Sequence, residues 1–209
     1  MSDDPALLRA WRGGNAEAGQ ALFRRYYDPI ARFFINKVAE PPHDLVQETF
    51  MACVQGRDRI RDDRSFRSYL FGVAYKVLSG HLRRKYRFAG DPASTSIRDL
   101  SPGPSTLLRK LEEHGRLLDA LRRLPLDLQV IIELRYWEQM SSVDISHVLD
   151  VSASTIRDRL QKGRELLERS LDVGAPGRAG QVEGLDSWVE RIRDQMRASD
   201  GIRPTASSR

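Results

Sequence analysis

The sequence has almost no cysteine: Cys53 is the single one in 209 residues. A disulfide framework within the chain is therefore excluded, and so is a zinc site built from cysteines. Cys53 lies inside an apolar helical pattern, where a free cysteine packs as a small hydrophobic residue. Four histidines are scattered along the chain, at His43, His81, His114 and His147. Because they show neither metal-ligand spacing nor a partnering nucleophile, we predict no metal, no cofactor, no small-molecule substrate and no enzymatic activity.

Long apolar runs are also missing, since none approaches the roughly 20 residues that a membrane-spanning helix needs. The N-terminal stretch MSDDPALLRAWRGG has acidic residues where a secretory signal has basic ones, and it lacks an apolar centre. Alternation of apolar and polar residues, the mark of a half-buried β-strand, persists nowhere. We therefore expect a cytoplasmic all-α protein without membrane insertion. A net charge of +5 favours polyanionic partners, although so modest an excess matters less than where the charge lies.

The clearest domain boundary is FAGDPASTSIRDLSPGPS, where three prolines, two glycines and several serines interrupt the helical patterns. Such a composition is typical of a flexible linker. We therefore predict two small helical domains joined by this linker, followed by a C-terminal extension with one amphipathic helix at about residues 182–198. The extension either docks and modulates activity or is a weakly ordered tail. The predicted parts are residues 1–87, 88–105, 106–172 and 173–209.

Within the first domain, apolar residues at three- and four-residue steps predict helices over about 6–38, 43–55 and 65–86. The second of these helices carries a mixed polar ladder on the side opposite its apolar face. Carboxylates and amides with one thioether suit a docking face for another protein, and they equally suit an ordinary solvent-exposed face. The ladder consists of Asp44, Gln47, Glu48, Met51 and Gln55.

The third helix of this domain interleaves aromatic residues with cations. Tyr69, Lys76 and Arg83 line up on one face, with Phe71 and Tyr75 beside them. Aromatic rings stack on unpaired bases while cations hold phosphates, so this pattern suits single-stranded nucleic acid. The alternative is that Phe71 and Tyr75 belong to the core. The helix ends in a basic cluster that we expect to contact phosphates, namely Arg83, Arg84, Lys85 and Arg87.

Residues 144–167 of the second domain fit a helix-turn-helix. Asp150 stands at the turn, where a left-handed backbone is often required, and Ser152 or Ser154 would cap the second helix. In DNA-binding versions the start of this helix enters the major groove. The alternative is an ordinary helical hairpin with a charged, solvated face. The exposed positions of the second helix are predicted to be Ser154, Thr155, Arg157, Asp158, Gln161 and Lys162.

Side chains on that helix suit defined parts of a DNA duplex. Arg157 can bind guanine with two hydrogen bonds, and Gln161 can pair in the same way with adenine. Thr155 and Lys162 suit phosphates. Asp158 either accepts a hydrogen bond from cytosine or orients a neighbouring cation.

The order of these parts resembles the extracytoplasmic-function group of bacterial RNA polymerase sigma factors. The resemblance rests on LFRRYYDPIARF, DLVQETF and RSFRSYLFGVAYKVLSGHLRRK before the linker, and on LDALRRLPLDLQVIIELRYWEQMSSVDISHVLDVSASTIRDRLQKGRELL after it. It covers about residues 7–171. The chain departs from the family pattern at Gly19, Lys76 and Gly80.

The resemblance implies that the first domain binds core RNA polymerase and melts the minus-ten element of promoter DNA. It also implies that the helix-turn-helix reads the minus-thirty-five element. Asp44, Gln47 and Glu48 then fall at polymerase contacts, and residues 65–87 fall on the melting segment. The upstream-reading residues implied are Arg157, Asp158, Arg159 and Gln161. A transcription regulator that never joins polymerase is the alternative, and the sequence leaves open whether an anti-sigma factor restrains the protein.

Overall fold

The computed structural model describes residues 4–38, 41–60, 66–86 and 112–172. Within these ranges the chain forms eight α-helices, one short 3₁₀ turn at Arg57–Arg59 and no β-strand, so the prediction of an all-α protein is confirmed. The predicted linker 88–105, the extension 173–209 and Arg87 lie outside the described residues. The helices are α1 Asp4–Arg12, α2 Ala16–Ile35, α3 His43–Gln55, α4 Phe66–Tyr86, α5 Glu112–Arg122, α6 Leu126–Tyr136, α7 Ser142–Leu149 and α8 Ala153–Asp172.

The predicted single helix over residues 6–38 is wrong in its first part, because the chain turns between α1 and α2. Gly14 adopts a φ of 98°, and Asn15 caps α2 by accepting a hydrogen bond from the Ala18 amide at 3.1 Å. The turn folds Trp11 back onto α2 at Gly19, where an added Cβ would lie 2.5 Å from the indole. The departure from the family pattern at Gly19 therefore makes room for the Trp11 ring.

The first domain is built around aliphatic and aromatic side chains from α2, α3 and α4. Leu22, Ile30, Leu70 and Leu82 are completely buried in it. Cys53 is buried in the same core, and this burial raises the pKa of its thiol to about 12. Cys53 therefore packs as the small hydrophobic residue that the sequence predicts.

The helices of the second domain surround a smaller cluster that includes Leu121, Leu128, Ile132 and Leu167. Helices α6 and α8 approach closely at Gly163, where an added Cβ would lie 3.3 Å from a side-chain carbon of Ile132. The glycine thus sets the spacing between the helix-turn-helix and the helix that supports it.

The two domains pack directly on one another, with α4 of the first lying against α7 of the second. The buried core of the first domain continues into the second through Ile131, Leu134, Ile145 and Val148. At the crossing, a Cβ added to Gly72 would lie 3.6 Å from the carbonyl oxygen of Val148. The helices therefore meet almost backbone to backbone, and α4 has neighbours on two sides.

Candidate nucleic-acid interface

The helix-turn-helix is formed by α7 and α8. Ser141 and Asp144 cap the start of α7 reciprocally, each accepting from the backbone N–H of the other. Asp150 has φ 56° and ψ 47°, which confirms the expected left-handed turn. Of the two candidate caps for α8, Ser152 fills the role, because its Oγ accepts from the Thr155 amide at 3.1 Å. The two helix caps and the left-handed turn fix where α8 begins and which face it exposes.

The exposed face of α8 carries most of the predicted upstream-reading side chains. Positions spaced by three and four residues lie on one stripe of a helix, and the exposed members here are Ser154, Arg157, Asp158, Gln161 and Lys162. Thr155 and Arg159 are half-buried at its edge. Gln161 donates a hydrogen bond of 3.3 Å to Glu165 one turn further on. The stripe thus presents the guanidinium group of Arg157, the amide of Gln161 and the ammonium group of Lys162 side by side.

Arg159 departs from this stripe. Its guanidinium donates to Asp127 Oδ2 at 2.7 Å, which ties α8 to the start of α6. Arg159 is thus engaged inside the protein in this arrangement, whereas Arg157 extends from the surface.

On α4, most of the predicted cations are exposed, whereas the predicted aromatic rings make contacts within the protein. The exposed side chains are Lys76, Arg83, Arg84 and Lys85. Tyr69 is half-buried, and its hydroxyl occupies the space next to Gly56 where a Cβ would otherwise stand. Tyr75 is half-buried and donates from its hydroxyl to Asp127 Oδ1 at 2.5 Å. The cations, rather than the rings, therefore form the accessible part of this helix.

The prediction that Phe71 contacts DNA is contradicted by its burial. Its side chain is completely buried and packs edge-on against Phe33, with ring centroids 5.8 Å apart. Leu78 and Leu82 follow on the same side of α4 and are also completely buried. The helix therefore has a second buried stripe, and Phe71 belongs to the core.

The polar ladder of α3 is exposed throughout, as the docking hypothesis requires. Asp44, Gln47, Glu48 and Met51 all face solvent, and Met51 is 53% exposed. An exposed methionine beside carboxylates gives this surface both an apolar and an acidic component. Glu48 also lies 3.7 Å from Arg84, which connects the ladder to the basic end of α4.

Polar contacts that no sequence motif predicts join the two domains. Besides the Tyr75–Asp127 hydrogen bond, Lys37 pairs with Glu133, and Arg67 lies 3.1 Å from Glu138. These partners are 52, 96 and 71 positions apart, respectively, and no local pattern signals them.

Lys37 is completely buried at the domain interface. Its ammonium group donates to Glu133 and to the carbonyl of Phe33, the latter at 2.7 Å. Burial lowers the pKa of Lys37, while the ion pair with Glu133 opposes that shift. The pair is therefore held together inside a poorly solvated region, where the loss of either partner is costly.

A two-domain helical architecture with a helix-turn-helix and an exposed basic helix end defines a class of DNA-binding transcription proteins. The Sigma-70 region 2 family matches residues 22–88, and the Sigma-70, region 4 family matches residues 114–167, so together they match more than half of the chain. The chain belongs to the extracytoplasmic-function group of the sigma-70 family, whose members direct promoter-specific transcription.

Relatives and one solved structure agree with this membership. An "ECF RNA polymerase sigma-E factor" of Haemophilus influenzae is 27% identical over 180 residues, covering 80% of this chain and 95% of the relative. An "RNA polymerase sigma-H factor" of Pseudomonas aeruginosa is 25% identical over 187 residues, covering 82% and 95%. CnrH, solved in complex with the cytosolic domain of CnrY, superposes with a TM-score of 0.63 at 24% identity, covering 83% of this chain and 100% of CnrH. The last similarity concerns the fold.

Across the described ranges, every helix is too short or too polar to cross a bilayer.

Proposed function

We propose that this sigma factor binds core RNA polymerase and melts the minus-ten element with its first domain, while its helix-turn-helix reads the minus-thirty-five element as duplex. The observation that carries the proposal is the exposed stripe on α8, which begins at a capped helix start as major-groove readers do. The polymerase holds the catalytic metals, so the sigma factor needs no cofactor and catalyses nothing itself. Its place of work is the cytoplasm, where bacterial transcription occurs.

For the minus-thirty-five element, the proposal assigns base contacts to Arg157 and Gln161. Arg157 suits guanine and Gln161 suits adenine. Lys162, Ser154 and Thr155 suit phosphates at the rim of the groove. Asp158 lies between the two base readers and suits a cytosine amine or the orientation of Arg157.

For the minus-ten element, the proposal assigns the phosphate contacts to the basic end of α4. Lys76, Arg83, Arg84 and Lys85 are exposed there, and Arg87 follows directly in the sequence. An unpaired base costs a few kcal/mol to extract from its stack, and Tyr69 and Tyr75 are the rings on which it would stack. Phe71 is left out of this interface because it is buried.

For core polymerase, the proposal assigns docking to the α3 ladder of Asp44, Gln47, Glu48 and Met51. The exposed Val54 extends its apolar component by one turn. An anti-sigma factor is proposed as a further protein partner, supported by the solved complex of CnrH with the cytosolic domain of CnrY.

The test is run-off transcription with purified core polymerase across a promoter library. We expect initiation at a defined subset of promoters, and loss of upstream-element preference in Arg157→Ala. Arg169→Ala is the matched control, because Arg169 is an exposed arginine near the other end of α8.

Glu48→Lys should abolish co-purification with core polymerase. A wild-type protein that binds duplex DNA yet never joins polymerase would instead favour the simple transcription regulator.

A further inference from the structure

A tryptophan of the N-terminal helix contacts residues at the end of α3 and at the start of α4. The guanidinium carbon of Arg57, which follows α3, lies 5.8 Å from the centroid of the Trp11 ring. Phe66, the first residue of α4, meets the same ring edge-on at a centroid distance of 6.3 Å. Helix α1 therefore braces the junction between the helix proposed for polymerase docking and the helix proposed for DNA binding.

Trp11 is itself held firmly in the first domain. Its side chain is buried and packs edge-on against Phe23, with ring centroids 5.3 Å apart. The indole fills the notch at Gly19. The other end of α1 is anchored through Asp4, a buried carboxylate that accepts a hydrogen bond from the Tyr26 hydroxyl. Because α1 is fixed at both ends, the indole is a rigid platform for whatever lies on it.

Arg57 is oriented by two contacts and still reaches solvent. Its guanidinium lies within the roughly 6 Å that a cation–π contact allows, and its Nε donates to Asp58 at 3.3 Å. A guanidinium carries five N–H donors, so these contacts leave the four N–H groups of its two Nη atoms for other acceptors. The Arg57 side chain is 33% exposed. This geometry suits an oxyanion that approaches from the solvent side.

Arg57 lies at one end of the line that Tyr69, Lys76 and Arg83 form on α4. The Tyr69 hydroxyl occupies the space where a Cβ of Gly56 would stand, and Arg57 is the next residue along the chain. The three α4 residues are spaced by seven positions, which places neighbours about 10 Å apart along the helix. Arg57 thus adds a cation on the far side of the Tyr69 ring. Alternating cations and rings suit the phosphates and bases of an unpaired strand.

We propose that Arg57 contacts a phosphate of the unpaired minus-ten strand, and that Trp11 is the positioning residue that holds Arg57 for this contact. The inference rests on the proposed function, because it extends the same DNA-binding face. Helix α1 thereby takes part in promoter melting although it carries no base reader. The alternative is that Arg57 only covers the indole, in which case its removal affects stability and leaves DNA affinity unchanged.

The test measures binding of a fluorescent single-stranded oligonucleotide from the minus-ten region of the best promoter in the library. The assay uses the complex of the full chain with core polymerase, at several salt concentrations. We expect Arg57→Ala to weaken binding about fivefold, as loss of an exposed ion pair does. The slope of log affinity against log salt should fall by about 0.7, the value for one phosphate contact on a single strand. Arg57→Lys keeps the charge and should keep the slope.

Arg24→Ala is the matched control, because Arg24 is an exposed arginine on α2 of the same domain. Equal losses in Arg57→Ala and Arg24→Ala, or no loss in either, would overturn the proposal. So would failure of Arg57→Ala to co-purify with core polymerase, which would assign Arg57 to the docking face. A loss confined to one base at one position would overturn the assignment to a phosphate. Failure of the wild-type complex to bind the oligonucleotide would contradict the proposed function instead.

A double-mutant cycle tests whether Trp11 acts through Arg57. Trp11→Leu should weaken oligonucleotide binding about threefold in the wild-type background, because a cation on an exposed aromatic face gains up to about 1 kcal/mol. It should have no further effect on binding in the Arg57→Ala background, although thermal melts should show lower stability in both. Trp11→Phe keeps an aromatic face and should retain most of the affinity, and it serves if leucine prevents folding. Equal losses of affinity in the two backgrounds would refute the positioning role.

Discussion

The ion pair of Lys37 and Glu133 gives the sharpest prediction for stability, because Lys37 is completely buried and Glu133 is the carboxylate that compensates its charge. Glu133→Ala leaves the ammonium group without that partner. Removing one member of a buried pair typically costs about 3–5 kcal/mol. This is a large part of the roughly 5–15 kcal/mol that stabilises most domains. We expect urea denaturation of Glu133→Ala to show a loss of this size at neutral pH.

The pH dependence of this loss has a definite sign. Burial lowers the pKa of Lys37 in the folded protein, so the unfolded chain binds more protons between that pKa and the ordinary lysine value of about 10.4. Stability therefore rises with pH through this window. Loss of Glu133 lowers the folded pKa further, so the cost of Glu133→Ala should shrink towards alkaline pH.

The double variant Lys37→Met with Glu133→Leu is the control, since it removes both charges and fills the space with apolar atoms. Its free energy of unfolding should be within about 1 kcal/mol of the wild-type value or higher than it. A cost below about 1 kcal/mol for Glu133→Ala alone, constant from neutral to alkaline pH, would refute the reasoning that Lys37 is buried as a charged group.

Three further predictions concern single sites. Arg157→Ala should weaken duplex binding by about 1–3 kcal/mol at one base position, measured by competition among promoter duplexes, whereas Arg169→Ala should leave base preference unchanged. Gly19→Ala should lower the free energy of unfolding by about 1–3 kcal/mol in thermal melts, because its methyl group would clash with the Trp11 indole ring. Gly80→Ala is the control and should raise the free energy of unfolding by up to about 1 kcal/mol. A gain in stability at both sites would contradict the packing at residue 19. Asp150→Val should lower the free energy of unfolding by about 1–2 kcal/mol, because the backbone of residue 150 is left-handed, with φ 56°. An unchanged melting temperature would contradict the need for a residue that tolerates this conformation.

Local signals in the sequence predicted most of the helical architecture. The bounds of α3 follow from Pro42 before it and Gly56 after it, and the turn at Asp150 follows from a residue type that tolerates a left-handed backbone. The predicted single helix over residues 6–38 does not include the break between α1 and α2, although Gly14 and Asn15 carry the usual turn and cap signals. Apolar periodicity continues across that break and conceals it.

The errors at the candidate site arise from contacts that α4 makes with distant parts of the chain. A helix periodicity identifies one buried face, but Phe71 is also buried, packed against Phe33 of α2. The partners of Tyr75 and Lys37 are contributed by the other domain, 52 and 96 positions away. No rule based on neighbouring residues connects such positions, so exposure on α4 could not be predicted from its own sequence.

Because α4 packs against both domains, promoter-reading modules of different sigma factors are not freely interchangeable. A chimera that takes residues 112–172 from a relative would place a foreign α7 over Gly72. Even if both halves folded and read their own promoter elements, the hybrid would inherit an unmatched contact surface. Designers of synthetic regulatory circuits should therefore exchange α4 and α7 together.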